Sequence, residues 1–222
     1  MESDWIFQEV GSAINDLIER FISEPFFFYA EQDMHAYVYH KLISGKLGEE
    51  RVETYFGDKT VLLHREYPTL NTYPGARGKP TRGHFDLAVI DPAHAPESHW
   101  RTHVTQPRYA RHRPKVAIEF GLNEIGTTRL DLTHFKKDFT RLTDRENLVE
   151  RGYLLFFVRT EDFPEGSGMR RIIDRLPTAL TNFFEERRDR ASNLVVVYTE
   201  CRKPHSRFVQ VIPKSRSDWI SS

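Results

Sequence analysis

Two short apolar runs, each interrupted by one carboxylate, constrain this chain more than any other feature. They are FDLAVID, which contains Asp86, and VAIEFG, which contains Glu119. Runs of this length that are rich in Val, Ile, Leu and Phe are typical of strands covered on both faces. An unpaired carboxylate in such a strand is strongly unfavourable, so each acid needs a partner. The sequence therefore predicts a shared divalent metal ion, or else neutralisation by Arg82 and Lys115.

Composition sets the limits within which these strands are interpreted. A chain of 222 residues that is 39% hydrophobic fits one domain over 1–222. Lys plus Arg and Asp plus Glu both number 32, so any contact with nucleic acid has to come from local clusters of charge. The single Cys201 excludes an internal disulfide, and no apolar run is long enough to span a bilayer. We therefore expect a cytoplasmic protein without a membrane partner.

Hydrophobic spacing predicts the order of the elements along the chain. The carboxyl-terminal segment 213–222 is polar and is predicted to be a mobile tail. Helices are predicted at 5–23, 26–43, 130–142 and 166–187, and strands at 60–67, 85–91, 116–121, 153–159, 193–199 and 207–212.

The second predicted helix carries a third acid that bears on the site. Its inward-facing positions are Phe27, Glu31, Met34, Val38 and Leu42, so Glu31 lies where the pattern favours an apolar residue. A carboxylate that projects from this helix toward the sheet would lie near the two strand acids. If the apolar stripe is rotated by one position, the same residue is a solvated surface glutamate.

Positive charge is concentrated in two segments that flank the FDLAVID strand. Residues 68–83 contain three Gly and three Pro and are predicted to be an irregular loop. The connection 92–115 holds five basic residues against one acid, with aromatic residues between them. Such segments suit phosphate contacts and base stacking, although a solvated loop has the same composition. The candidate nucleic-acid-binding residues are Arg77, Lys79, Arg82, Arg101, Arg108, Arg111 and Arg113.

The order helix, strand, strand with Asp, strand with Glu, helix, strand resembles the PD-(D/E)XK nuclease superfamily. The matching pieces are AEQDMHAYVYHKL, RGHFDLAVID, VAIEFG and HFKKDFTRL, which together cover about 25–160. The resemblance implies an α/β, restriction-endonuclease-like αβββαβ core, with a central mixed sheet flanked by helices. This chain would add an amino-terminal helix over 1–24 and further strands at its carboxyl end.

The resemblance also implies an activity and a set of ligands. Asp86 and Glu119, with Glu31 from the helix, would hold Mg²⁺, for which Mn²⁺ could substitute. The expected reaction is metal-dependent hydrolysis of phosphodiester bonds in nucleic acid, with DNA favoured. The superfamily has a catalytic lysine two residues after the strand glutamate, and this chain has Gly121 there.

Two other lysines are candidates for the missing catalytic cation. Lys136 flanks the apolar stripe of the helix that follows the strands, whereas Lys137 points nearly opposite to that stripe. Lys115 lies on the same strand face as Glu119.

Two alternative functions follow from the same residues. A binding module of the same fold would have lost catalysis, which the glycine at position 121 favours. An interaction or assembly subunit would use the first helix and the aromatic run FFFY at 26–29, and it would form a homodimer or bind another protein.

Overall fold

The computed structural model describes residues 4–53, 59–74, 79–93, 113–123, 132–201 and 207–212. The helices are α1 (Asp4–Ser23), α2 (Glu31–Ile43), α3 (Lys46–Glu49), α4 (Thr133–Thr143) and α5 (Gly168–Glu185). The strands are β1 (Arg51–Glu53), β2 (Lys59–Val61), β3 (Leu63–Pro74), β4 (Pro80–Ile90), β5 (Pro114–Leu122), β6 (Arg151–Arg159), β7 (Leu194–Cys201) and β8 (Arg207–Ile212). None of the described helices is long and apolar enough to cross a bilayer.

Strands β3 to β8 form one mixed sheet, in the order in which they follow one another along the chain. The pairs β3–β4, β4–β5 and β7–β8 are antiparallel, whereas β5–β6 and β6–β7 are parallel. A parallel pair needs a crossover, which α4 provides after β5 and α5 provides after β6. The predicted α/β class, with a mixed sheet flanked by helices, is confirmed.

Two layers of helices cover the opposite faces of this sheet. Neighbouring residues on a strand point to opposite faces. Phe157 of β6 contacts Phe21 of α1, with ring centroids 4.9 Å apart, and the adjacent Phe156 contacts Phe135 of α4, at 6.2 Å. Helix α2 packs beside α1, and phenylalanine rings of α5 pack against those of α4. The strands between these layers are therefore buried on both sides, as their apolar sequences predict.

Helix α2 begins at Glu31, five residues later than the sequence predicts. Pro25–Phe27 forms a separate 3-10 turn. The carboxylate of Asp33 accepts hydrogen bonds from the amides of Tyr29 and Ala30, at 2.8 Å each, and so satisfies donors at the start of the helix. Because the helix starts at Glu31, this residue lies in its first turn.

The prediction of an irregular loop over 68–83 is wrong. β3 continues to Pro74 and β4 begins at Pro80, so the segment forms the arms of a long hairpin; residues 75–78 lie outside the described parts of the chain. The two prolines face each other at the end of the hairpin, where a missing amide donor is well tolerated. The pairing of β3 with β4 is interrupted by a shift in register between Pro68 and Thr72.

Candidate metal centre

Strands β4 and β5 bring Asp86 and Glu119 together. Their register sets Leu87 opposite Ile118, and Asp86 and Glu119 are the next residues of the two strands beyond that pair. The two carboxyl groups lie within hydrogen-bonding reach of each other. The amide of Phe120 donates to Asp86 Oδ2 at 2.8 Å. An amide of β5 thus bonds a side chain of β4 rather than its backbone, which marks the point where the strands begin to separate.

Helix α2 presents a glutamate and a histidine to the separating strands. Glu31 and His35 are four residues apart and therefore share one face of the helix. His35 Nε2 lies 3.5 Å from Glu31 Oε1 and 3.5 Å from Asp86 Oδ2. The imidazole is buried and tilts against the ring of Phe120, with centroids 4.7 Å apart. The ring therefore has a fixed position between two carboxylates.

The buried Nε2 of His35 has no hydrogen-bond partner among the described residues. An unsatisfied buried polar atom destabilises a fold by about 1–3 kcal/mol, which suggests that this nitrogen has another role. One ligand atom from each of Glu31, His35 and Asp86 lies within 4.8 Å of the other two. Carboxylate oxygen and imidazole nitrogen are both ligands of divalent first-row metals. These three side chains could hold a divalent cation, and we call this set of candidate ligands the metal cluster.

On the α4 side of the sheet, Arg141 joins the two separating strands. Its Nη1 donates to Glu119 Oε1 at 2.8 Å and to the carbonyl of His84 on β4 at 2.6 Å, while Nη2 donates to Asp138 Oδ1 at 2.6 Å. A methyl group on Gly83 would lie 2.9 Å from Cδ of the arginine, so the path of this side chain favours glycine there. Glu119 is thus held by the guanidinium and stands beside the metal cluster rather than within it.

The acids at this point of the sheet have raised pKa values. Burial is the largest cause for Asp86, Glu119 and Asp138 alike. The pKa of Asp138 rises to about 7, although the charge of Arg141 opposes the rise. The pKa of Glu119 lies well above its usual range, because burial is reinforced by the negative charges of Asp138 and Asp86. Buried acids in such proximity favour a divalent cation as an additional partner.

Lys115, one of the two predicted catalytic lysines, lies away from the metal cluster. Its ammonium group donates to Glu150 at 2.7 Å. It also precedes Glu119 by four residues, which is about 13 Å along an extended strand. Lys115 therefore neutralises an acid at the other end of β5, which is a structural contact.

Helix α4 carries the other predicted catalytic lysine, Lys136. Lys136 is exposed, and within the described ranges no ion pair or hydrogen bond joins its side chain to the acids. The charge of the adjacent Lys137 lowers the pKa of Asp138. Among the described residues, the basic side chain that is bonded to Glu119 and Asp138 is that of Arg141.

Three of the seven predicted nucleic-acid-binding residues lie within the described parts of the chain. Lys79 is exposed just before β4, and Arg82 is partly buried within that strand, where burial lowers the pKa of its guanidinium. Nε of Arg113 donates to the carbonyl of Leu148 at 3.1 Å, at the end of β5 remote from Glu119. Four of the predicted residues lie outside the described parts of the chain, namely Arg77, Arg101, Arg108 and Arg111.

Sequence reasoning missed His35 and Arg141. The histidine had a signal, because a Glu and a His four positions apart on a predicted helix share one face. No sequence signal marked Arg141, since an Asp and an Arg three positions apart are common on exposed helix surfaces. Its contact with β4 and β5 depends on the separation of the two strands.

No family model, curated protein or solved structure matches this chain.

Proposed function

We propose that this chain is a metal-dependent nuclease that hydrolyses phosphodiester bonds of nucleic acid, with DNA favoured. The observation that carries the proposal is the buried Nε2 of His35, which has no described hydrogen-bond partner and lies between the carboxylates of Glu31 and Asp86. The order α2, β3, β4, β5, α4, β6 supports it, because it is the αβββαβ order of the PD-(D/E)XK core.

The metal cluster of Glu31, His35 and Asp86 would hold the ion. A divalent ion bound there would polarise a phosphoryl oxygen and make an attacking water more acidic. We propose Mg²⁺ as the cofactor and Mn²⁺ as a substitute. Mg²⁺ favours oxygen ligands, whereas the imidazole nitrogen favours a transition metal, so we expect Mn²⁺ to bind more tightly.

The remaining side chains position the cluster and balance its charge. Glu119 contacts Asp86, and Arg141 fixes Glu119 through a 2.8 Å hydrogen bond. The side chain of Arg141 is 23% exposed, so it is not fully enclosed by the protein. A fixed guanidinium in that position would stabilise negative charge that develops on a phosphoryl group.

Cleavage assays with matched variants test this proposal. Labelled duplex and single-stranded DNA are incubated with EDTA, Mg²⁺ or Mn²⁺ and the wild-type chain, Asp86→Asn or His35→Gln. We expect metal-dependent cleavage that both substitutions reduce by about 100-fold or more. Glu150→Gln is the control, since Glu150 pairs with Lys115 at the other end of β5.

Mn²⁺ binding, measured by calorimetry without nucleic acid, separates loss of the metal from loss of the reaction. Both substitutions should weaken it. Cleavage that persists in Asp86→Asn at the wild-type rate would contradict the proposal.

A binding module of the same fold that lacks catalysis is the second candidate. Two observations favour it: position 121 is a glycine, and the Glu119 carboxylate is already bonded to Arg141. This candidate predicts salt-dependent binding of DNA without cleavage in any metal.

A further inference from the structure

Three exposed aromatic residues lie close together in the chain immediately before α2. Phe26, Phe27 and Tyr29 are 56%, 51% and 89% exposed. The other large hydrophobic residue that is exposed in the described parts of the chain is Leu148, which precedes the opposite end of β6. A single exposed apolar side chain is ordinary, but three within four positions form a patch that indicates binding. We call these three residues the aromatic platform.

The backbone that carries the platform is fixed from both sides. The intervening Phe28 is fully buried. Arg159, the last residue of β6, donates from Nη1 to the carbonyl of Phe28 at 2.6 Å. The amides of Tyr29 and Ala30 are bonded to the carboxylate of Asp33. The rings are therefore presented on an ordered backbone, which lowers the entropy lost when a ligand binds to them.

Tyr29 of the platform lies close to the metal cluster along the chain. Tyr29 precedes Glu31 by two residues, and two residues of extended chain span at most about 7 Å. Successive base pairs of DNA are about 3.4 Å apart along the helix axis. A base that belongs to a nucleotide next to a phosphate at the metal cluster is thus within reach of the platform.

Two guanidinium groups lie over rings of the platform. The Arg20 guanidinium carbon is 4.5 Å from the ring centroid of Phe27, and that of Arg159 is 5.5 Å from the ring centroid of Phe26. Each arginine also pairs with one carboxylate, that of Glu24 or Asp162. The Arg159 side chain is only 11% exposed, whereas that of Arg20 is 38% exposed and bonds Glu24 through Nη1. A guanidinium has five N–H donors, so Arg20 keeps donors for a phosphate group beside a stacked base.

We propose that the aromatic platform stacks on unpaired bases next to the cleaved phosphodiester. This inference rests on the proposed nuclease function and names its substrate class. The substrate is single-stranded, overhanging or frayed nucleic acid rather than intact duplex. Aromatic faces stack on any base without regard to sequence. Within an intact duplex, each base is already stacked between its neighbours and offers no free face.

The test uses an oligonucleotide that carries 2-aminopurine, whose fluorescence falls when the base stacks on an aromatic ring. Binding is measured in Ca²⁺, a condition chosen to hold the oligonucleotide intact during the titration. The wild-type chain is expected to bind the single strand more tightly than a blunt duplex of the same sequence and to quench the fluorescence.

Tyr29→Ala should weaken single-strand binding by about tenfold or more and remove the quenching. Tyr29→Phe, which keeps the ring, should retain both properties, and Leu148→Ala is the control for an exposed apolar residue elsewhere.

Several outcomes would overturn the inference. Equal binding of single strand and duplex would do so, as would unchanged quenching in Tyr29→Ala. Sedimentation of a wild-type dimer that Tyr29→Ala converts to a monomer would assign the platform to a protein interface instead.

Cleavage in Mn²⁺ is measured separately. Quenching that depends on Tyr29 in a chain that does not cleave would support the platform and refute the nuclease function, whereas cleavage unaffected by Tyr29→Ala, without quenching, would refute the platform alone.

Discussion

At the scale of single residues, the charge beside the metal cluster depends on one arginine. Arg141 bonds Glu119 and Asp138 and reaches the backbone carbonyl of His84, so one side chain neutralises acids from a strand and a helix. Its positive charge has two opposite effects in the proposed reaction. It would repel a divalent cation held nearby, and it would stabilise negative charge on the phosphoryl group. Substitution of this residue therefore separates a purely structural role from an electrostatic one.

We expect Arg141→Met to bind Mn²⁺ more tightly and to cleave DNA more slowly. Solvent and the neighbouring acids screen the repulsion between the guanidinium and a cation nearby, and about 1.4 kcal/mol of repulsion corresponds to tenfold in affinity. A gain of about tenfold in Mn²⁺ affinity, measured by calorimetry, should accompany a loss of about 100-fold in cleavage rate.

Arg141→Lys keeps the charge and should restore the wild-type Mn²⁺ affinity. Arg145→Met, at an exposed arginine just beyond α4, is the control. Weaker Mn²⁺ binding in Arg141→Met would show that this residue shapes the site and does not set its charge.

At the scale of elements, the sequence could predict the helices and strands that are buried, because burial leaves an apolar pattern in the sequence. The strands around Asp86 and Glu119 are marked by apolar runs, and the helices that cover them are marked by apolar spacing. The arms of the β3–β4 hairpin are not, because residues 68–83 have the glycine and proline content of a loop. Pairing between the arms overrides that composition, since the prolines at positions 74 and 80 lie where the hairpin ends. The long connection 94–112 lies outside the described residues, so its predicted role stays a prediction.

Helix α5 contains a proline in its interior, as its sequence predicts. Pro177 is the tenth of the 18 residues of α5, and an interior proline removes a backbone hydrogen bond and crowds the preceding turn. We expect Pro177→Ala to raise the free energy of unfolding by about 1–3 kcal/mol in urea denaturation. Pro25→Ala is the control, because Pro25 opens a 3-10 turn, where proline is favoured, and its loss should not stabilise the chain. A less stable Pro177→Ala would mean that a bend at this position is needed to pack Leu176 and Leu180, which are buried.

At the scale of the whole molecule, the acids and the histidine connect the two helical layers through the sheet. Glu31 and His35 come from α2 on one side, and Asp138 and Arg141 come from α4 on the other. Asp86 lies between them, in contact with His35 and within hydrogen-bonding reach of Glu119. The sequence could predict the three carboxylates 31, 86 and 119 because each interrupts an apolar pattern. It could not predict that Glu31 and Asp86 lie beside His35 whereas Glu119 is bonded to Arg141. That division depends on where β4 and β5 separate.

A cation bound at the metal cluster should therefore stabilise the folded chain as a whole. An ion that binds the folded state alone adds about 2.7 kcal/mol to the free energy of unfolding at 100 times its dissociation constant. We expect saturating Mn²⁺ to raise this free energy by about that amount in the wild-type chain and by less in Asp86→Asn and His35→Gln. Because the three ligands come from α2 and β4, amide hydrogen exchange should slow most in α2 and in the carboxyl-terminal half of β4.

Glu150→Gln should respond to Mn²⁺ like the wild type, since that acid pairs with Lys115 away from the cluster. Equal stabilisation of wild type and Asp86→Asn would place the bound ion elsewhere on the molecule, and the cluster would then be a set of buried acids without a metal.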